Sequence, residues 1–97
     1  MAVSDMVYDQ VTILNGQSMD IAPSVSGHEW VVHNISIPFG SACEFYHTDG
    51  TNNILIMNIA SSLLSYNFHC NTSSYYTLKN VSGSTIYASY DGAVMNE

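Results

Sequence analysis

Residues 63–70 read LLSYNFHC. Leu64, Tyr66, Phe68 and Cys70 fall on one parity, and Ser65, Asn67 and His69 fall on the other. Apolar and polar residues that alternate with period two describe a strand with one face buried and one face wet. The same reading extends along the chain. In SMDIA (18–22), Met19 and Ile21 share a face, and in VYDQVTIL (7–14), Val11 and Ile13 alternate against Gln10, Thr12 and Leu14. HEWVVHNISI (28–37) is more continuously apolar, as in a central strand covered on both sides. ACEFYH (42–47), NILIMNI (53–59), YYTLKNV (75–81) and TIYASY (85–90) complete the set.

The breaks between these runs carry turn chemistry. Asn15-Gly16 is a strong hairpin signal, so the first two runs are expected to pair as the start of a meander. Ser26-Gly27, Gly40-Ser41, Asp49-Gly50 and Ser82-Gly83 mark further turns, and Asp91-Gly92 is expected to bend the chain before AVMNE (93–97). About eight short strands in a 97-residue chain predict one all-β domain, a small antiparallel sandwich, over residues 1–97. Residues 1–8 are read as an N-terminal arm. The expected core comprises Trp30, Val32, Phe45, Ile56, Tyr66, Phe68 and Leu78.

Composition narrows the function. Lys79 is the only Lys or Arg, against five Asp and three Glu, which gives a net charge of −7. Neutralising phosphates takes Lys and Arg, so neither nucleic acid nor an anionic membrane is an expected partner. Charged residues make up 9%, far below the usual ~25%, and fourteen Ser, six Thr and nine Asn take their place. The longest unbroken apolar run, ILIM (54–57), is too short to span a bilayer, and MAVSDMVYDQV (1–11) has no basic, apolar signal pattern. A chain made in the cytoplasm is expected. Cys43 and Cys70 sit in alternating runs and read as buried free thiols rather than a disulfide framework.

No catalytic or metal pattern stands out. His28, His33, His47 and His69 have no metal-helix spacing, and adjacent His28 and Glu29 point to opposite faces of a strand. Ser is abundant without a Gly-x-Ser-x-Gly elbow. Nothing pairs two of Asp20, Glu29, Glu44, Asp49 and Asp91 for glycoside chemistry. DGTNN (49–53) offers one acid, which suits a turn better than a calcium loop. No enzyme, no metal and no cofactor are expected.

Seven Tyr fit pleated strands, and Tyr is also enriched where proteins meet. Sandwich edges expose unpaired backbone, commonly guarded by Lys, and here a single Lys is available. Neighbouring subunits would supply the cover. A homo-oligomer, trimer or dimer, is therefore expected, with Val3, Met6, Val7, Tyr8, Tyr75, Tyr87 and Tyr90 as the candidate interface.

Two stretches, GHEWVVHNI (27–35) and YYTLKNVSGSTIYASYDGAV (75–94), resemble small virion proteins of tailed bacteriophages, especially capsid decoration (cement) proteins. The resemblance implies a sandwich of jelly-roll type, oligomerisation, and attachment to the outer face of a major capsid protein lattice on the virion. It implies no catalytic residues. A receptor- or glycan-binding module of a phage tail or appendage is the alternative that the same strand patterns allow.

Overall fold

Eight strands form where the alternation predicts them. They are β1 (Met6–Ile13), β2 (Ser18–Ile21), β3 (Glu29–Ser36), β4 (Cys43–Thr48), β5 (Asn53–Ile59), β6 (Phe68–Asn71), β7 (Tyr75–Asn80) and β8 (Ile86–Asn96). They come from a computed structural model that describes residues 6–24 and 27–96, with no helix among them. Val3 and most of the expected N-terminal arm lie outside the described residues, as does Ser26 of the expected Ser26-Gly27 turn. Met6, Val7 and Tyr8, read from the sequence as part of that arm, are the first residues of β1.

The strands stack as two four-stranded sheets, in the orders β1-β8-β3-β6 and β2-β7-β4-β5, and all neighbours are antiparallel. This is jelly-roll order. Only β4 and β5 pair with their neighbour in sequence, and every other connection crosses between sheets. The hairpin expected at Asn15-Gly16 is therefore absent, since β1 pairs with β8 and β2 with β7. The turn is real, with Gly16 at φ 84°, but it is a corner between sheets. Asn80 holds that corner. Its carbonyl accepts from Gly16 N at 2.8 Å, and its own N–H donates to Gln17 O at 2.9 Å.

Asp91-Gly92 does not bend the chain either, because both residues lie inside the eleven-residue β8. Glycine is needed there for another reason. β3 carries a bulge between Val32 and Asn34 opposite this point, and a Cβ on Gly92 would lie 2.0 Å from the carbonyl oxygen of Val31. The bulge also resets the alternation of β3, so that Trp30, Val32 and Ile35 all reach the core.

Phe45, Leu78, Ile21, Val32 and Ile35 are fully buried between the sheets, joined by Ile13, Trp30, Cys43, Cys70 and Val94. Trp30 Nε1 is buried with no hydrogen-bond partner among the described residues. Of the expected core, Trp30, Val32, Phe45 and Leu78 are inside, and Phe68 is half-buried against it. Ile56 and Tyr66 are exposed.

Tyr66 fails because LLSYNFHC is not one strand. Leu63 and Ile35 exchange two backbone hydrogen bonds of 2.8 Å, Ser65 then takes a left-handed φ of 63°, and β6 begins only at Phe68. Leu64, assigned inward by parity, is exposed, and Leu63 takes its place in the core. Ile56 fails because β5 has its own bulge, where Met57 pairs with Phe45 and Leu55 with Tyr46.

Candidate interaction surface

The outer face of the first sheet gathers part of the expected interface. Along β1, Val7, Val11 and Ile13 turn inward, so Met6, Tyr8, Gln10 and Thr12 turn out. Along β8, Ile86, Ala88 and Tyr90 turn inward and Tyr87 turns out. Tyr8 and Tyr87 expose 74% and 67% of their surface. Thr12 is the partner of Tyr87, so the two Tyr stand four residues apart along the strands, about 13 Å.

The remaining candidates separate. Val7 and Tyr90 belong to the core, and the Tyr90 ring leans on Trp30 with centroids 6.4 Å apart. Neither has surface to offer a partner. Burial first, then the Asp9 charge, raises the pKa of Tyr90. Tyr75 lies on the second sheet, half-buried beside Gly50. The seven residues named from sequence thus do not form one patch. Met6, Tyr8 and Tyr87 share a face, Tyr75 is on the other sheet, Val7 and Tyr90 are inside, and Val3 is outside the described residues.

The sequence reading placed a strand at NILIMNI but missed the apolar surface that β5 exposes. This outermost strand of the second sheet exposes three consecutive apolar side chains, Ile54, Leu55 and Ile56, at 65%, 45% and 41%. The bulge breaks the alternation that would hide one of them. The legible signal was NILIMNI itself, an uncharged run bounded by Asn. Lys79, the one basic side chain, guards no edge, because it sits on β7 between Ser18 of β2 and Glu44 of β4.

Aromatic rings run from the core to the surface near β6. Phe45 stacks on Tyr76 at 5.3 Å and meets Phe68 edge-on at 5.1 Å, and Phe68 stacks on the exposed Tyr66 at 5.2 Å. His47 tilts against Tyr76 at 5.3 Å. A shallow pocket of about 130 Å³ opens beside it, lined by His47, Thr48, Asp49, Asn52 and Ile54.

The chemistry of this pocket is modest. His47 Nε2 lies 2.6 Å from Ser74 Oγ, a Ser–His pair that would need an acid to orient the ring. Asp49, in the same pocket, is committed to its own turn, accepting from Asn52 N at 2.7 Å and Thr51 N at 2.9 Å. Those bonds, Asn52 first, hold its carboxyl below the usual range. No cluster of three or more His, Cys, Asp or Glu suited to a metal occurs among the described residues. His69 Nδ1 lies 3.3 Å from Glu29 Oε2 on the surface. Cys43 and Cys70 are free and buried, and burial, with a smaller contribution from Glu29, pushes the Cys70 thiol up to about 12.

Comparison with known proteins supports the fold. No protein-family model and no curated protein sequence matches the chain. Among solved structures, the Drosophila NLP core, described for its pentamer formation and histone binding, aligns over 91% of this chain and 97% of its own. The identity is 16% and the TM-score 0.53. A subunit of Bacillus endospore appendages, described as a novel family of disulfide-linked pili, aligns over 97% of this chain and 92% of its own, at 13% identity and a TM-score of 0.44. The likeness to the NLP core is one of fold.

Proposed function

We propose that this protein is a structural virion component. It decorates and stabilises a bacteriophage capsid by binding, as a dimer or trimer, to the outer face of the major capsid protein lattice. The observation that carries this reading is the surface. Large apolar and aromatic side chains stand exposed at Met6, Tyr8 and Tyr87 on one sheet face and at Ile54, Leu55 and Ile56 on a sheet edge. The chain has only one Lys to keep such surfaces apart. Tyr orders cheaply on contact, Tyr and Met are both enriched where proteins meet, and a face of this kind suits a partner that stays bound. The NLP core, which shares the fold, is described as forming a pentamer, so sandwiches of this shape can assemble. A net charge of −7 favours a less acidic landing site and makes the first encounter salt-sensitive.

The test is addition of purified protein to capsids that lack it, followed by sedimentation and a count of bound copies. Saturable binding at lattice stoichiometry, weakened when Tyr8 and Tyr87 are both changed to Ser, is expected. An N-terminal truncation should stop before Met6, because loss of residues 1–8 would strip Val7 from the core and three pairs from the β1–β8 ladder. If capsids stay bare and a glycan array lights up instead, the tail or appendage module takes the place of the capsid reading.

A further inference from the structure

The four strands that end a sheet differ in how their open edges are protected. β1 carries Asp9 on the same parity as Val7, Val11 and Ile13, an inward-facing charge of the kind that blocks strand addition. β2 and β6 are four residues each, with Asp20 on the first and the Glu29-paired His69 on the second. β5 is seven residues long and has no charge, no Pro and three exposed aliphatic side chains. Such an edge is a template for another strand.

The sequence of β5 indicates which strand fits. Asn53-Ile54-Leu55-Ile56-Met57-Asn58 is close to a palindrome in chemistry. A two-fold axis normal to the sheet maps each face onto itself, so paired positions must share a face. Without a bulge, residues 53 and 58 would lie on opposite faces, as would 54 and 57. The bulge removes the conflict. Asn53 pairs with Thr48 and Asn58 with Glu44, both on the outer parity of β4, whereas Ile54 pairs with His47 and Met57 with Phe45, both on the inner parity.

We infer that β5 pairs antiparallel with β5 of a second copy across this axis, joining two four-stranded sheets into one of eight strands. Asn53 faces Asn58 of the second copy, Ile54 faces Met57, and Leu55 and Ile56 of both copies meet at the axis. Ladder hydrogen bonds run on either side of the bulge and apolar packing fills the centre. No like charges meet within the strand pair, which matters in a chain of net charge −7. This deepens the assembly part of the function proposed above by naming the contact between copies.

The experiment is light scattering on the purified full chain and on Leu55→Lys, whose site is exposed in one copy, with circular dichroism to confirm that both are folded. Twice the monomer mass is expected for the wild type, and self-association weaker by on the order of 30-fold or more for the variant. Register is read by cross-linking. Paired Cα atoms in a ladder lie within disulfide reach, so a mixture of Asn53→Cys and Asn58→Cys chains should cross-link under mild oxidation, and neither chain should do so alone. A monomeric wild type, an undiminished Leu55→Lys dimer, or cross-linking that is equal alone and mixed overturns the inference. A monomer that still coats capsids removes the β5 pair and leaves the decoration reading. A β5 dimer that ignores capsids does the reverse.

Discussion

Two residues carry more structure than their types suggest. Asn80 is fully buried, and its amide makes four hydrogen bonds. Nδ2 donates to Ile13 O at 2.9 Å and Ser84 O at 2.7 Å, and Oδ1 accepts from Ser82 N at 2.9 Å and Ser82 Oγ at 2.7 Å. It ties the β1–β2 corner to the β7–β8 turn. Asn80→Ala leaves buried backbone groups unpaired and should lower stability by about 3 kcal/mol in urea unfolding. Gly92→Ala should cost at least as much, since the new methyl would sit on the Val31 carbonyl and against the Val31–Val32 backbone, which has no flexible end to give way. From sequence, Asn80 reads as one of many Asn and Gly92 as a turn residue. Three of the Asn80 bonds are to Ser82 and Ser84 nearby in sequence, but the one that ties the corner reaches Ile13, 67 residues away, and Gly92 meets Val31 about 60 residues away.

Elements fail or hold according to their neighbours. β2 behaves as its alternation predicts, with Met19 and Ile21 packed against the opposite sheet. β3 and β5 do not, because each carries a bulge that resets its parity, and the run leading into β6 does not, because Ser65 turns left-handed before the strand begins. The aromatic series Phe45, Phe68, Tyr66 steps from the centre of the core to the rim. Alanine substitution should follow that order in denaturant midpoints, with about 3–5 kcal/mol lost for Phe45, about 2 for the half-buried Phe68, and under about 1 for the exposed Tyr66. An equal loss for Phe68 and Phe45 would place β6 deeper than the structure does.

At the scale of the whole molecule, burial makes the fold sensitive to alkali. The Cys70 thiol, ordinarily near 9.0, is pushed up to about 12, and burial likewise raises Tyr76 and Tyr90. Above about 9 the unfolded chain gives up the thiol proton while the folded chain keeps it. The unfolded state then binds fewer protons, and stability must fall as pH rises from about 9 to about 12. Below the lower value the contribution is fully present. Urea midpoints measured across that window in reductant should drop for the wild type and drop less steeply for Cys70→Ala. A flat profile would mean that water reaches the thiol in the folded state.

The sequence by itself determined that this is an all-β chain of eight strands, and that Trp30, Val32, Phe45 and Leu78 lie inside it. Period-two alternation is a local property, since side chains must point to alternate sides of any extended backbone. The sequence also showed the shortage of Lys that leaves the surface without charged guards. Only the tertiary structure decided which strands are neighbours. Backbone hydrogen bonds are the same for every residue, so nothing in residues 6–21 says that β1 and β2 belong to different sheets. Only the structure placed the bulges at Val32–Asn34 and in β5, each of which shifts parity by one and reverses every face beyond it. That shift turned Leu55 outward and left Ile56 as the extra residue, while Ile54, on the inner parity, is exposed at the open end of the sheet. A bulge is fixed by the strand lying alongside, and that strand is β4.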